Sequence, residues 1–283
     1  MTLRDALLEA STHIARRDAE TLLAHALHRD RAWLLAHAED ELAPQDLESF
    51  RALTARRANH EPLQYITGTQ EFFGLALRVT PDVLIPRPET EHLVEAALDW
   101  AHKQADANPD ANPNAKLQIA DVGTGSGAIA IALGSVLEHA SITAIDISPA
   151  ALAIARENDE THRLSKRLRF VEGDLLTPVA SERPFDIVIS NPPYVALSEA
   201  PTLIPEVRDH EPSLALYAGP DGLEIYRRLI PQAYDLLRSG GLLALEIGFG
   251  QRESLSDLLS HWKDVHFLED YASIPRVVLA LHP

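Results

Sequence analysis

From residue 117 onward, short apolar segments alternate with segments of helical periodicity, and this constrains the fold more than any other feature. The predicted strands are Leu117–Val122, Ser141–Asp146, Leu168–Glu172, Asp186–Ser190 and Gly241–Ile247, followed by two late ones near Val265–Leu268 and Val277–Leu281. Ser148 and Pro149 give one intervening helix a favourable N-cap and first residue. The alternation predicts an α/β fold with a doubly wound parallel sheet, which binds ligands at the carboxyl ends of its strands.

Residues 1–70 carry apolar side chains at helical spacing instead. The series and segments with this spacing are Leu3, Ala6, Leu7 and Ala10; Ala19, Leu22, Leu23, Ala26 and Leu27; Trp33–Leu35; and Ala43–Thr54. This region holds 8 Arg against 11 Asp and Glu, so −14 of the net charge of −17 lies in residues 71–283. We expect a nearly neutral, all-helical N-terminal domain over residues 1–70.

The region between the N-terminal helices and the alternating segments that begin at residue 117 has its own pattern. Residues 71–85 predict a β-hairpin linker with its turn at Thr80-Pro81-Asp82, and a helix follows from about Glu89 to Ala101. Residues 103–116 are polar and rich in Asn and Pro, which predicts a mobile surface loop. The sheet domain is therefore expected to cover residues 86–283.

Composition excludes several classes of protein. The chain has no cysteine, which removes disulfides and thiolate chemistry and suits a reducing cytoplasm. No segment approaches the roughly 20 apolar residues of a membrane span. The 13 histidines are scattered without a zinc motif, so no metal is expected. A net charge of −17 disfavours broad electrostatic binding to nucleic acid or anionic membranes.

Three predicted strands end on residues suited to a nucleoside. Gly123-Thr124-Gly125-Ser126-Gly127 follows the first, and its glycines let backbone N–H groups approach a ligand; the spacing matches neither the dinucleotide fingerprint nor a lysine-bearing phosphate loop. Asp146 ends the second, where a carboxylate can accept both hydroxyls of a ribose. Asp174 follows the third and could meet an adenine amino group. A tight turn and helix caps are the plainer interpretations, but three such groups at one sheet edge favour a nucleoside site.

Asn191-Pro192-Pro193-Tyr194 follows the fourth strand and is the sharpest indication of chemistry. Asn191 offers a side-chain carbonyl, and Pro192 offers a backbone carbonyl with no N–H of its own. Two acceptors can hold a planar –NH₂ group by both hydrogens while Tyr194 stacks on its plane. This grip localises the nitrogen lone pair and directs it at an electrophilic carbon without a strong base. A proline-rich turn without function is the alternative.

These motifs resemble those of amino-methyltransferases that use S-adenosylmethionine. Finer motifs resemble the HemK/PrmC-type peptide chain release factor glutamine methyltransferases. They are Tyr65–Gly68, Glu71–Gly74, Leu84–Glu91, Glu211–Leu216, Asp221–Leu223 and Glu246–Gln251. The resemblance covers almost the whole chain and is weakest over residues 1–60 and 103–116. Asp270–Ser273 depart from the family's usual sequence at a local turn.

The resemblance implies a Rossmann-like class I methyltransferase sheet, with S-adenosylmethionine as the cofactor. The implied reaction methylates the side-chain amide of the glutamine in the Gly-Gly-Gln motif of release factors. The implied cofactor-binding residues are Gly123, Thr124, Gly125, Ser126, Gly127, Asp146, Asp174, Leu175 and Asn191, with Leu175 against the adenine. Arg87, Glu89 and Thr90 are implied beside the cofactor.

In the same way, the resemblance implies that Asn191, Pro192, Pro193 and Tyr194 hold the glutamine, with Asn191, Pro192 and Tyr194 as the catalytic residues. The helical N-terminal domain resembles the family's substrate-recognition domain. The expected partner is a release factor and the expected state is a cytoplasmic monomer that contacts neither nucleic acid nor membrane.

Two alternatives remain open at this point. An adenine-N6 methyltransferase acting on DNA or RNA could use the same Asn-Pro-Pro-Tyr site, although the acidic charge and the lack of a basic recognition domain count against it. A non-catalytic nucleoside-binding scaffold would leave the intact Asn-Pro-Pro-Tyr sequence unexplained.

Overall fold

The computed structural model describes residues 1–107, 116–164, 166–182 and 184–283. Within them the chain divides into two compact units. The helical unit comprises Met1–Thr69 and Ile204–His210, and the sheet unit comprises Gln70–Leu203 and Glu211–Pro283.

The helical unit begins with five helices: α1 (Leu3–Ala10), α2 (Arg16–Leu27), α3 (Arg31–Ala36), α4 (Pro44–Ala58) and α5 (Leu63–Thr67). Local sequence encodes where some of them start. Thr2 and Asp5 form a capping box at α1, and the Asp30 side chain accepts a hydrogen bond from the backbone N–H of Trp33 at α3. Both contacts satisfy N–H groups that a helix leaves without an internal partner.

The apolar series predicted in residues 1–70 meet in one core. The buried members of this core are Leu3, Ala6, Leu7, Ala10, Ala19, Leu22, Leu23, Leu34, Leu42, Phe50 and Ile66. The spacing in the sequence therefore predicted most of the buried helix positions, but not Leu35, which is 75% exposed.

Residues Ile204–His210 belong to the helical unit, although the sequence assigned them to a domain of residues 86–283. The guanidinium of Arg57 donates to Glu206 at 3.0 Å and to Asp18 at 2.7 Å. A ring nitrogen of His210 lies 3.3 Å from the backbone oxygen of Asn59. These polar contacts join segments far apart in the chain, so no local pattern could predict them.

The sheet unit opens with a hairpin of β1 (Thr69–Phe72) and β2 (Leu75–Arg78). Its turn lies at Phe73-Gly74, so the predicted position of the hairpin turn is wrong. A turn does form at Thr80-Pro81-Asp82, where the N–H of Val83 donates to the carbonyl of Thr80 at 3.1 Å, but it does not join two strands. Phe73 and Gly74 have positive φ, 52° and 72°, which is the geometry of a tight two-residue hairpin. The position of the hairpin turn was predicted wrongly because Phe seldom adopts a positive φ, whereas Thr-Pro-Asp is a common turn sequence. In the described residues 79–87 the chain forms no strand.

Helix α6 (Glu91–Ala107) follows a 3₁₀ turn over Pro88–Thr90. It continues beyond the predicted end at Ala101, so the expected loop over residues 103–116 is wrong for its first five residues. Lys103, Gln104 and Ala105 are good helix formers and extend the preceding helix. The rest of the expected loop, residues 108–115, lies outside the described residues.

The large sheet has seven strands, as the sequence predicted. They are β3 (Leu117–Val122), β4 (Ala140–Asp146), β5 (Leu168–Glu172), β6 (Phe185–Ser190), β7 (Leu237–Glu246), β8 (Lys263–Glu269) and β9 (Pro275–Leu281), in the spatial order β5-β4-β3-β6-β7-β9-β8. The first five run parallel to one another. Strand β9 is antiparallel to both β7 and β8. The connection between β8 and β9 is too short for a crossover, so this pair must be antiparallel.

Helices cover both faces of the sheet. After α6 the helices of the sheet unit are α7 (Ala128–Val136), α8 (Pro149–His162), α10 (Glu224–Leu236) and α11 (Arg252–Leu258), while the short α9 (Pro205–His210) belongs to the helical unit. Alternate strand residues enter two separate cores: Ile119 packs with α6 and α7, while Ala120 packs with α10 and α11. This is the doubly wound arrangement that the sequence predicted. No helix among the described residues is long and apolar enough to span a membrane.

Candidate active site

The parallel strands β3 to β7 all present their carboxyl ends at one edge of the sheet. The chain order reverses at β3, with β4 and β5 on one side and β6 and β7 on the other. Doubly wound sheets bind ligands in the crevice at such a reversal. A cleft of about 210 Å³ lies at this edge. Its lining includes eight residues predicted from the sequence: Gly123, Gly125, Asp146, Asp174, Leu175, Asn191, Pro192 and Pro193.

The glycine loop joins β3 to α7 and is held against β4. The N–H groups of Gly123 and Thr124 donate to the carbonyl of Ile145 at 2.8 and 3.0 Å. Gly125 has φ of 55°, and a Cβ built on it meets nothing within 4 Å, so the bare backbone faces open space in the cleft. Gly127 has φ of 82°, but a Cβ there would come within 3.2 Å of Ala155. Gly125 thus leaves room for a ligand, while Gly127 allows α7 and α8 to pack closely.

Asp146 stands at the end of β4 and lines the cleft. Its Oδ2 accepts from the N–H of Gly125 at 2.8 Å, and its Oδ1 accepts from the N–H of Ser148 at 2.9 Å. Burial raises the pKa of this carboxyl, and the backbone donors oppose that rise. Each carboxylate oxygen has a second lone pair, so the side chain can still accept from a pair of hydroxyls.

Asp174 and Leu175 follow β5 on another wall of the cleft. The Asp174 carboxylate forms an ion pair with Arg228 of α10, which also lines the cleft. Leu175 has a positive φ of 51°, and together with the half-exposed Ile147 it gives the cleft apolar surface. Two aliphatic side chains can lie against the faces of a planar base.

Asn191 follows β6, and its amide is oriented by a buried threonine. Its Nδ2 donates to the hydroxyl of Thr90 at 3.0 Å, and that hydroxyl donates to Oε2 of Glu246 at 2.6 Å. Thr90, in the 3₁₀ turn before α6, and Glu246, the last residue of β7, are both buried. Sequence reasoning placed Thr90 beside the cofactor and assigned no role to Glu246.

Tyr194 closes the same network from the other side. Its hydroxyl donates to Oε1 of Glu246 at 3.3 Å, and the hydroxyl of Tyr226 donates to the Glu246 backbone carbonyl at 2.7 Å. Burial raises the pKa of the Glu246 carboxyl to about 7, against the opposing hydrogen bonds from Thr90 and Tyr194. Burial and the nearby Glu246 also raise the pKa of the Tyr194 phenol, so this hydroxyl remains a donor.

Some residues predicted for the site do not line the cleft. Thr124 and Ser126 are buried, and the Thr124 hydroxyl donates to Asp121 at 2.6 Å. Arg87 donates to both oxygens of the buried Glu211, at 2.6 and 2.7 Å, while Glu89 is exposed. The lining likewise omits Gly127 and Tyr194. These residues shape the loops around the cleft from behind.

Two side chains that hold the loops around the cleft were not predicted from the sequence. Asn158 of α8 is buried; its amide accepts from the N–H of Arg78 at 2.7 Å and donates to the carbonyl of Ser126 at 2.9 Å. Gln251 donates to the carbonyl of Tyr194 at 3.0 Å and accepts from the N–H of Gly248 at 2.9 Å. Asn158 lies in the charged run 157–160, which gives no sign of burial, whereas Gln251 stood in a family motif without a role.

The charges around the cleft suit a ligand that carries positive charge. Asp82, Asp146 and Asp174 line it against one cation of the described chain, Arg228, and Asp121 lies buried beside it at the end of β3. Oδ1 of Asp121 has no hydrogen-bond partner among the described residues, and burial raises the pKa of this carboxyl to about 7. A cationic nucleoside would find apolar walls, hydroxyl acceptors and compensating negative charge here, whereas a phosphate would be repelled.

Comparisons with known proteins agree with this geometry. Residues 2–68 match the family model "PrmC N-terminal domain", and residues 109–206 match "Methyltransferase small domain". The release factor glutamine methyltransferase of Koribacter versatilis is 39% identical, over 100% of this chain and 99% of its own. That of Moorella thermoacetica is 45% identical, over 99% of this chain and 98% of its own. This chain belongs to the release factor glutamine methyltransferase family.

As a member of this family the chain is a methyltransferase, so the family and the enzyme class predicted from the sequence are confirmed. Solved structures of low identity support the fold alone. The hMettl16 catalytic domain in complex with the MAT2A 3'UTR hairpin 1 has a TM-score of 0.57 at 18% identity, covering 88% of this chain and 85% of that one. A methyltransferase from Pyrococcus furiosus has a TM-score of 0.51 at 18% identity, covering 74% and 90%. The predicted class I methyltransferase fold is thereby confirmed.

Proposed function

We propose that this protein transfers a methyl group from S-adenosylmethionine to the side-chain amide nitrogen of the glutamine in the Gly-Gly-Gln motif of peptide chain release factors. The observation that carries the proposal is the segment Asn191-Pro192-Pro193, which shares one cleft with the glycine loop and two acidic strand ends. The names of the relatives supply the substrate.

The substrate amide is held by acceptors alone. Asn191 Oδ1 and the Pro192 carbonyl accept its two hydrogens, and the ring of Tyr194 packs against its plane, so its nitrogen lone pair points along one direction. An amide nitrogen is a poor nucleophile, and fixing its orientation removes much of the entropic barrier to attack. As the N–C bond forms and the S–CH₃ bond breaks, the nitrogen becomes acidic and releases one proton to water.

S-adenosylmethionine supplies an electrophilic methyl group on a sulfonium. Asp146 accepts the ribose hydroxyls, Leu175 packs on the adenine with Ile147, and the Gly123–Gly127 loop gives the methionine part room to approach the backbone. Asp174 meets the adenine amino group after giving up part of its pairing with Arg228. The acidic character of the cleft matches the sulfonium and ammonium charges.

The helical unit recognises the protein substrate. Its family model is the PrmC N-terminal domain, and it carries its own hydrophobic core separate from the cofactor cleft. The enzyme acts as a monomer in the cytoplasm, where a release factor would meet it. The acidic sheet domain attracts basic surface on that partner.

The alternative of an adenine-N6 methyltransferase is not favoured. The relatives that span this chain carry the name release factor glutamine methyltransferase. The similarity to an RNA-bound methyltransferase domain is one of fold at 18% identity and carries no substrate with it.

Mass spectrometry of a release factor incubated with the protein and S-adenosylmethionine tests the proposal. We expect one added methyl group on the Gly-Gly-Gln glutamine. A release factor carrying Gly-Gly-Glu is the matched control, because its carboxylate offers no nitrogen. Duplex DNA and RNA form a third arm, and methylation of adenine without methylation of the release factor would refute the assignment.

A further inference from the structure

The catalytic use of Asn191 depends on which end of its amide faces the substrate. The two ends of a carboxamide have the same shape, so only hydrogen bonds select between them. With the oxygen toward the cleft, Asn191 accepts a hydrogen of the substrate amide. With the –NH₂ group toward the cleft, it would instead repel that amide's donors.

The contacts around Thr90 select one orientation. Above a pH of about 7 Glu246 is ionised, because burial raises its pKa to about that value. Its carboxylate can then only accept, so at 2.6 Å the Thr90 hydroxyl points its single hydrogen at Glu246. The lone pairs of the same oxygen then face Asn191 at 3.0 Å, and they require a donor there. The donor is Asn191 Nδ2, which turns Oδ1 away from Thr90. Since Asn191 lines the cleft, Oδ1 is the end left for the substrate.

Glu246 makes a second contact of the same kind with Tyr194, whose hydroxyl donates to the other carboxylate oxygen at 3.3 Å. The Glu246 carboxylate thus binds Thr90 with one oxygen and Tyr194 with the other, and it reaches two residues of the substrate grip, Tyr194 directly and Asn191 through Thr90. Its side-chain partners are hydroxyl groups, while Arg276, the nearby cation, pairs with Asp270 at 2.9 Å. A carboxylate buried among neutral donors costs stability, which is typical of a group kept for function.

We infer that Glu246 and Thr90 are positioning residues that set the orientation of the Asn191 amide and the ring of Tyr194 for methyl transfer. The inference rests on the proposed function for its reaction, but not for its geometry. Glu246 acts through Thr90 on Asn191 and directly on Tyr194, and neither Glu246 nor Thr90 touches the reacting atoms.

Kinetics of Thr90→Val, Thr90→Ser and Glu246→Leu on a release factor substrate test the inference. Thr90→Val keeps the shape and removes the hydroxyl, so we expect kcat to fall roughly tenfold, the usual size of an orienting effect. The Kd for S-adenosylmethionine should stay near that of the wild type. Thr90→Ser restores the hydroxyl and should recover most of the rate. The double variant Thr90→Val/Glu246→Leu should be no slower than Glu246→Leu alone, because both changes break one chain of contacts.

Thr143→Val is the matched control. Thr143 is a buried threonine of β4 whose hydroxyl accepts from Arg169, so the same chemical change is made away from the grip. If Thr90→Val and Thr143→Val have the same kcat, or if Thr90→Ser is as slow as Thr90→Val, the inference is wrong. Should Thr90→Val fail to fold, Thr90→Ala removes the hydroxyl without adding apolar atoms and takes its place.

A substrate-free measurement separates this inference from the proposed function. The Asn191 side-chain –NH₂ resonances in an amide-labelled sample are identified by their loss in Asn191→Ala. We expect them to shift in Thr90→Val and to stay in place in Thr143→Val. Unchanged resonances in Thr90→Val would overturn the inference even if the wild type methylates release factors. If the wild type fails to methylate them, the proposed function is wrong and the resonances still decide the positioning.

Discussion

Carboxyl groups at the surface of the helical unit and those buried beside the cleft of the sheet unit behave in opposite ways. In the helical unit, Glu9, Glu20 and Glu61 each accept hydrogen bonds from arginine side chains, which lowers the pKa of each carboxyl. At the carboxyl edge of the sheet, Asp121 and Glu246 are buried, and burial raises the pKa of both to about 7. The helical unit keeps its charges paired at the surface, whereas the sheet unit buries acids beside its cleft.

The difference has opposite consequences for stability. Carboxylates with lowered pKa stabilise the helical unit at neutral pH and lose that contribution as pH falls through their folded-state values. Asp121 and Glu246 bind their protons more tightly when folded than when unfolded, so stability falls as pH rises from about 4 to about 7. We conclude that the buried acids beside the cleft lower the stability of the sheet unit at neutral pH, whereas the surface acids of the helical unit do not lower its stability.

The largest effect is expected at the edge of the sheet that holds the cleft. Asn191→Ala removes one acceptor from the proposed amide grip and should lower kcat about a hundredfold, or about 3 kcal/mol. Cofactor affinity, measured by calorimetry, and the unfolding midpoint should change little. Near-normal turnover in this variant would mean that Asn191 has no part in catalysis.

Asp146→Ala tests the part of the cleft proposed to bind the cofactor. It should weaken S-adenosylmethionine binding by roughly 1.5–3 kcal/mol, the range for hydrogen bonds to a charged group. Because Asp146 also accepts from the N–H of Gly125, part of the loss reflects a looser glycine loop. Asp186→Ala, an acid that accepts from Gln118 and Arg238 instead, is the control. Equal dissociation constants for Asp146→Ala and the wild type would remove Asp146 from the cofactor site.

Asp121→Asn tests whether the buried charge of Asp121 lowers the stability of the sheet unit. Asn keeps an oxygen for the Thr124 hydroxyl and the N–H of Ala130 but carries no charge. Relative to the wild type, the variant should gain about 4 kcal/mol in unfolding free energy at pH 8, and the gain should shrink toward zero near pH 4. Urea unfolding at a series of pH values measures it. A gain independent of pH would show that the Asp121 charge is not what costs stability.

The smallest effect belongs to the helical unit. Arg57 donates to Asp18 and Glu206 and is 19% exposed, so Arg57→Ala should lower the unfolding free energy of this unit by about 1 kcal/mol. Arg51 pairs with Glu9 on the open surface, and Arg51→Ala should leave stability unchanged. Equal losses for the two variants would contradict the view that only partly buried pairs contribute here.

The sequence predicted much of the site because its parts are local. A glycine loop after β3, acids after β4 and β5, and Asn191-Pro192-Pro193-Tyr194 after β6 each follow directly from a strand end, and parallel strands bring such ends together. It did not predict hydrogen bonds between residues far apart in the chain: Thr90 and Glu246 are 156 residues apart, and Asn158 and Arg78 are 80 apart. No short motif joins such pairs.

Most helices and strands, the doubly wound sheet and the reaction class could be predicted from the sequence, since they depend on periodicity, turn chemistry and residues adjacent in the chain. The hairpin turn and the end of α6 could not. Only the tertiary structure decided the membership of Ile204–His210 in the helical unit, the burial of Asn158 and the orientation of the Asn191 amide. These depend on which groups meet once the strands are ordered, and on whether a buried donor finds an acceptor there. The sequence does not show whether a carboxylate such as Glu246 is solvated or buried between two hydroxyls. Only the packing of the folded chain distinguishes these two environments.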